Sequence, residues 1–242
     1  MGKQFRNINR HSVNTAILVD GAFYRKRARH YNGELQPKER AEELVEHCHR
    51  LLNADKYETR NLYRIFYYDC SPLDKNVQDP ITLKTVNLGK SPNFIWMTAF
   101  LEELKRMRKF AIRLGRLSDT TIEYNLKYDV LRKLLKGEKQ VSEITNSDLI
   151  LNIEQKGVDM RIGVDISSLA YKKQVDQIIL VSGDSDFVPA AKHARREGID
   201  FILNPLGAPI KSDLFEHIDG LINWGPNPPK SKGAKISGDN IE

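Results

Sequence analysis

The chain is poor in cysteine and has no long apolar run. Its two cysteines, Cys48 and Cys70, belong neither to a CxxC pair nor to a His/Cys cluster with zinc spacing, so no disulfide framework or zinc site is expected. We therefore expect a reducing, cytoplasmic environment. No apolar stretch approaches the roughly 18 residues that a membrane span needs, and the basic start of the chain lacks the apolar core of a signal peptide.

The common motifs of nucleotide-binding proteins, serine hydrolases and zinc proteases are also missing. The sequence contains neither GxxxxGKS/T nor GxGxxG, and it has no GxSxG elbow and no HExxH. Its six histidines are scattered along the chain rather than grouped. These absences argue against a phosphate-binding glycine loop, a Ser/His/Asp triad and zinc chemistry.

The composition is that of a folded and moderately basic protein. Hydrophobic residues make up 40% of the chain and charged residues 29%, which is sufficient for a core. The formal net charge is +6, and residues 105–139 alone hold eleven Lys and Arg against four Asp and Glu. We predict one domain over residues 12–224, with a basic, partly helical insertion around 73–155, followed by a disordered tail over 225–242.

Short apolar strands alternate with amphipathic helices along the chain. Strands are predicted over residues 15–19, 60–68, 110–117, 177–181 and 199–203. Helices are predicted over residues 37–53, 94–109, 124–135, 157–173 and 187–197, and a loop or short lid over 74–91. This alternation is typical of an α/β fold with a mostly parallel sheet covered on both faces. Sites in such folds form in the crevice at the carboxyl ends of the strands.

Four aspartates stand where that crevice is expected. Asp20 ends the first strand, Asp184 and Asp186 follow the fourth, and Asp159 lies in the first turn of the helix before the fourth strand. Each has a structural alternative, since Asp-Gly is common in turns and acids at helix starts act as caps. A block of acids directly after a buried strand is harder to explain in that way, so we interpret the four as one site.

Carboxylates that converge on one crevice are costly in the absence of a cation. Like charges at close range oppose each other's ionisation, and burial adds to that cost. Mg²⁺ and Mn²⁺ prefer oxygen ligands and complete their shell with water, so either ion would relieve the repulsion. A metal held in this way activates water and neutralises charge on a phosphoryl group. The four acids therefore predict Mg²⁺ or Mn²⁺ and hydrolysis of a phosphate ester.

Three stretches of sequence occur in a specific combination. They are VDGAFYRKR at the first strand, KGVDMRIGVDISSLAYKKQVDQIILVSGDSDFVPAAKHARREGI in the second half, and NPLG after the following strand. On these residues the chain resembles the NYN domain family, in its LabA-like branch, within the PIN-like nuclease superfamily. The resemblance is close over residues 156–207, fair over 15–24 and weak over 70–155.

The resemblance implies a fold, an activity and a set of site residues. The fold would be a three-layer PIN-like (NYN) α/β fold with a mostly parallel sheet of about five strands flanked by helices. The family is associated with RNA cleavage at an acidic, metal-binding pocket. Matched residue by residue, the catalytic and metal-binding acids are Asp20, Asp159, Asp184 and Asp186.

Four further positions follow from the resemblance. Asp165 matches an acid that recurs in the LabA-like branch and is a secondary metal ligand, although a buried structural acid is the alternative. Ser182 would orient a carboxylate or a water, and Lys156 would approach a phosphate or simply begin a helix. Phe23 departs from the family, because many relatives have Asn there, so the site lacks one polar ligand.

The predicted function is a metal-dependent endoribonuclease. The basic stretch is interpreted as a phosphate-contacting surface, with a solvated helix face as the alternative. Its assigned RNA-binding residues are Arg106, Arg108, Lys109, Arg132, Lys133 and Lys136. Two other functions remain open: a non-catalytic RNA-binding or regulatory module, and a small-molecule phosphohydrolase. RNA is the expected partner, a membrane is not, and a homo-oligomer is allowed.

Overall fold

The computed structural model describes residues 11–55 and 58–227, so most of the predicted tail lies outside it. The strands are β1 (His11–Asp20), β2 (Glu58–Cys70), β3 (Asn76–Gln78), β4 (Thr85–Asn87), β5 (Phe110–Leu126), β6 (Leu149–Lys156), β7 (Gln177–Val181), β8 (Asp200–Asn204) and β9 (Gly220–Leu221). The helices are α1 (Gly21–Asn32), α2 (Pro37–Leu52), α3 (Pro92–Lys105), α4 (Tyr128–Leu135), α5 (Val158–Tyr171), α6 (Val188–Arg196) and α7 (Ser212–Phe215). No helix in the described ranges is long and apolar enough to cross a bilayer.

The main sheet has seven strands in the order β6-β5-β2-β1-β7-β8-β9. Every neighbouring pair is parallel except β5 and β6, which run antiparallel. The prediction of a mostly parallel sheet is confirmed, but the prediction of about five strands is wrong. The difference arises at the two edges, because β6 lies in a polar segment with weak alternation and β9 has only two residues.

Both faces of the sheet are covered, as predicted for a three-layer α/β fold. Successive residues of β1 enter different cores: Ala16 and Leu18 pack with α5 and α6, whereas Ile17 and Val19 pack with α1, α2 and α3. The same alternation occurs in β2 and β7. A strand that is buried on both faces has a nearly continuous run of apolar residues in its sequence. This explains why these central strands could be located from the sequence.

The strand β5 continues beyond the main sheet. It pairs with β2 from Phe110 to Gly115, and then with β6 from Arg116 to Leu126. We call the two-stranded part, residues 116–126 and 149–156, the ribbon. Because β5 is parallel to β1 and β2, the ribbon projects from the carboxyl edge of the sheet, with α4 beyond its far end.

The segment around residues 73–155 serves both the body and the ribbon. α3 and the start of β5 contribute to the body, since Met97, Phe100 and Leu104 are buried under the sheet. The predicted loop at 74–91 contains the short β3–β4 hairpin. The predicted helix at 124–135 is correct only from Tyr128, because residues 124–126 belong to β5.

Candidate active site

Asp20 and Ser182 lie side by side at the carboxyl edge of the sheet. Val19 is in register with Val181, so the residues that follow them leave neighbouring parallel strands at the same height. The fully buried hydroxyl of Ser182 donates to Asp20 Oδ2 at 3.4 Å. Asp20 Oδ1 accepts from the Phe23 amide at 3.1 Å and caps α1. Both carboxylate oxygens are therefore oriented by the fold.

Asp184 and Asp186 lie on the tight turn that follows β7. The Asp184 amide donates to Ser182 Oγ at 3.3 Å, and Asp184 Oδ1 accepts from the Asp186 amide at 3.0 Å. Asp184 thereby caps a single turn of 3-10 helix, and both carboxylates are exposed. The capping role considered from the sequence thus occurs for Asp184. Asp20, for which a turn was the alternative, also caps a helix, and both caps position their carboxylates at the crevice.

Asp159 reaches the same region from α5. The chain turns from β6 into this helix at Gly157, whose φ of 79° favours glycine, and Asp159 follows in the first turn. Burial, and then the charges of Asp184 and Asp186, raise the pKa of Asp159. Burial is also the main cause of the raised pKa of Asp20, to which the charge of Asp159 contributes. The four acids therefore act on one another electrostatically.

These carboxylates are near one another without forming a closed ligand set. Within residues 11–55 and 58–227, no three Asp, Glu, His or Cys side chains are grouped closely enough to hold a metal ion as they stand. The acids nevertheless provide oxygen ligands on one edge, and none of the four forms an ion pair with another described residue. Mg²⁺ keeps several waters of its own, so this donor set fits an ion bound partly through water.

Asp165 is placed away from the four acids. Its Oδ2 accepts from Tyr68 Oη at 2.8 Å and from Arg113 Nε at 3.2 Å. These contacts tie α5 to β2 and β5, which is the structural role considered as the alternative. Lys156 ends β6 and pairs with Glu154 at 3.3 Å, and both side chains are about half exposed.

A second charged group, not identified from the sequence, adjoins Asp20. Asp69 is only 1% exposed, and it pairs with Arg25, whose side chain is 23% exposed. Asp69 also accepts from Tyr67 Oη at 2.7 Å and from the Cys70 amide at 2.8 Å. A Cβ on Gly21 would lie 2.5 Å from Asp69 Oδ2, so the glycine after Asp20 permits this close approach. Arg25 is thus fixed beside the acids.

Two other contacts shape the turn after β7. Lys211 Nζ donates to Ser185 Oγ at 3.1 Å, which places a cation beside Asp184 and Asp186. The ring of Phe23 packs over Gly183, where an added Cβ would come within 2.9 Å of it. Phe23 therefore supports the turn by packing, at the position where the resemblance to the NYN family led us to expect Asn.

The six basic residues assigned to RNA binding fall into two separate groups. Arg106, Arg108 and Lys109 precede β5 and therefore lie at the amino edge of the sheet, opposite the acids. Arg132, Lys133 and Lys136 lie on or just after α4, beyond the ribbon. The 17 residues of β5 separate the groups by on the order of 50 Å along the strand. The six residues are close in sequence, but they do not form one continuous surface.

Comparison with known proteins gives a family match and two distant similarities. An uncharacterized protein of Methanocaldococcus jannaschii is 25% identical over 122 residues, which is 42% of this chain, and the chain spans about half (51%) of that protein. A protein of unknown function from Vibrio parahaemolyticus superposes with a TM-score of 0.46 and 15% identity, covering 88% of this chain and 93% of that chain. The NYN domain model matches residues 98–216, just under half of the chain, and over these residues the predicted resemblance to the NYN domain is confirmed.

Proposed function

We propose that the chain is a Mg²⁺- or Mn²⁺-dependent endoribonuclease of the NYN/PIN-like type, with its domain over residues 12–224. The observation that carries the proposal is the placement of Asp20, Asp159, Asp184 and Asp186 at one sheet edge. There, burial and the charge of Asp159 raise the pKa of Asp20, and burial and the charges of Asp184 and Asp186 raise the pKa of Asp159. The NYN match over residues 98–216 supports RNA as the substrate. Assignment to the LabA-like branch, a cytoplasmic location and a homo-oligomer stay predictions.

The proposed mechanism assigns each residue a task. The four aspartates would hold the ion, directly or through water, and the ion supplies an activated water and neutralises charge on the phosphodiester. Ser182 fixes the orientation of Asp20. Arg25 is held by Asp69 and Tyr67, and its side chain is 23% exposed, so it would contact a phosphate of the strand. Lys211 offers a second positive charge beside the turn.

Metal removal and addition test the site through stability. In EDTA at neutral pH, Asp20→Asn should melt about 2–4 °C above the wild type, since it removes a partly buried charge worth ~1 kcal/mol and Asn still caps α1. In a Mn²⁺ series the order should reverse, because binding at 100 times the dissociation constant adds ~2.7 kcal/mol to the wild type. Differential scanning fluorimetry measures both, alongside RNA cleavage with Mn²⁺ and its loss in EDTA.

The sign of the pH dependence provides a control for the same experiment. A carboxyl with a raised folded-state pKa destabilises the fold once it ionises, so the cost is absent below the ordinary value of 3.8 and present above the raised one. The advantage of Asp20→Asn in EDTA should therefore shrink as pH falls toward 3.8. If the variant melts lower in EDTA at every pH and responds to Mn²⁺ as the wild type does, Asp20 is only a helix cap.

The divided basic residues lead to a test of RNA binding. Replacing Arg132, Lys133 and Lys136 with Gln should weaken RNA binding and reduce the slope of log K against log salt by up to ~2, since each single-strand phosphate contact contributes about 0.7. The matched triple replacement of Arg106, Arg108 and Lys109 should leave the slope unchanged, because those residues lie opposite the acids. Fluorescence anisotropy over a salt series measures both slopes, and equal slopes for all three proteins would make α4 a solvated surface.

A further inference from the structure

An open cavity of roughly 470 Å³ lies between the ribbon and the body of the protein. One wall is the inner face of the ribbon, where Leu117, Leu151, Ile153 and Gln155 line the cavity. The opposite wall is the start of α3, with Phe94 and Met97. The volume is within the about 300–1,000 Å³ typical of pockets that take small ligands or single groups.

The cavity approaches the acidic site at Arg25 and Asp69, which belong to its wall. Asp69 lies against Gly21, which follows Asp20 directly, and it pairs with Arg25. Arg25 also bonds Tyr67 Oη at 3.0 Å, so its guanidinium is fixed at the junction of cavity and acids. A phosphate at this junction would meet the positive charge of Arg25, which is opposite to its own.

The lining combines apolar surfaces with free hydrogen-bonding groups. Phe94, Leu117 and Leu151 are partly exposed and present flat or branched apolar surfaces. The amides of Asn93 and Gln155 have no hydrogen-bond partner among the residues that the structure describes. Unpaired bases are recognised by this combination, through stacking of their faces and hydrogen bonds to their edges.

We propose that this cavity is a nucleoside subsite, which takes one unpaired nucleoside of an RNA strand next to the phosphate held at the acids. The proposal rests on the proposed function, and it adds that the substrate is single-stranded at this position. A base within a duplex has both faces stacked and its pairing edge occupied, so it cannot offer them to Phe94 and Gln155. Arg25 would contact the phosphate that joins this nucleoside to the next.

A matched pair of substitutions on the ribbon tests the subsite. Leu151→Trp fills the cavity, whereas Ile150→Trp places the same ring on the opposite, exposed face of β6. We expect Leu151→Trp to weaken binding of a single-stranded uridine hexamer by about 5- to 100-fold, the range for losing one stacked base. Ile150→Trp should change it less than twofold. Fluorescence anisotropy in EDTA measures binding without cleavage.

A hexamer of abasic ribose phosphates separates base binding from phosphate binding. This hexamer should bind the wild type and Leu151→Trp equally, because it has no base that the new tryptophan could exclude from the cavity.

Gln155→Leu, a change at an exposed side chain that leaves the cavity volume nearly unchanged, should alter the order of affinities among the four homopolymer hexamers. Equal binding of the uridine hexamer by all variants, or no RNA binding at all, would overturn the subsite. RNA binding with the expected pattern but without Mn²⁺-dependent cleavage would overturn the nuclease and leave the subsite standing.

Discussion

Asp20→Asn and Asp184→Asn should each reduce Mn²⁺-dependent RNA cleavage by about 10²- to 10⁴-fold, the range expected when one group that stabilises developing charge is lost. Asn keeps the size of Asp and can still accept the Phe23 and Asp186 amide bonds, so both caps survive. The change thus removes a charged oxygen ligand and little else. Single-turnover cleavage of a labelled RNA measures the loss, and circular dichroism checks the fold.

Asp165→Asn is the internal control for that experiment. Its carboxylate is engaged by Tyr68 and Arg113 rather than directed at the other acids. Asn can still accept the Tyr68 hydroxyl, so we expect activity within about threefold of the wild type. If Asp165→Asn lost as much cleavage activity as Asp184→Asn, Asp165 would be a metal ligand after all. Full activity in both Asp20→Asn and Asp184→Asn would show that these two aspartates are not catalytic.

Arg25→Met should destabilise the protein by ~2–4 kcal/mol, because it leaves Asp69 buried and without its cation. This is about 1 kcal/mol less than the roughly 3–5 kcal/mol typical of a fully buried pair, since Arg25 is 23% exposed. For a protein of this length, that corresponds to a fall in melting temperature of about 4–16 °C. Thermal unfolding in EDTA measures the effect without any contribution from bound metal.

Two further variants show whether the loss of stability in Arg25→Met comes from breaking its ion pair with Asp69. Arg29→Met, one turn further along α1, breaks an ion pair with Glu34 that is largely exposed on both sides, so it should cost less than ~1 kcal/mol. Asp69→Asn in the Arg25→Met background removes the stranded charge and should recover more than half of the lost stability. Equal losses for Arg25→Met and Arg29→Met, or no recovery in the double variant, would show that Arg25 acts only through packing.

The central strands and the acids could be predicted because their signals are local. Four consecutive apolar residues, Ile178 to Val181, follow Gln177, and the structure has the predicted strand Gln177–Val181 with the same bounds. The rule that parallel strands end at a common edge then brought Asp20 and Asp184 together. Their separation of more than 160 residues did not matter, since each lies at the end of its own strand.

Features that depend on distant contacts could not be predicted in the same way. α1 carries five basic residues among its twelve, with His30 counted, and its helical form depends on the Asp20 cap and on burial of Tyr24 and Ala28. The ion pair between Arg25 and Asp69 joins α1 to β2, 44 residues later in the chain, and no local sequence pattern predicts it. The two basic groups looked close together because the strand predicted between them, over residues 110–117, continues to Leu126 in the structure.

The ribbon implies that the two sides of the proposed site differ in local stability. Asp20 and Asp184 are anchored to β1 and β7 at the centre of the sheet, whereas beyond Gly115 the ladder of β5 has only β6, and two strands alone are marginal in water. A bond from Asn146 Nδ2 to Asp79 Oδ2, at 2.6 Å, ties the ribbon end to the body. Amide protons of the ribbon should therefore exchange through local opening, well before those of β1. An RNA strand that enters the proposed site would therefore pass the ribbon, which opens locally, and reach acids whose strands stay folded.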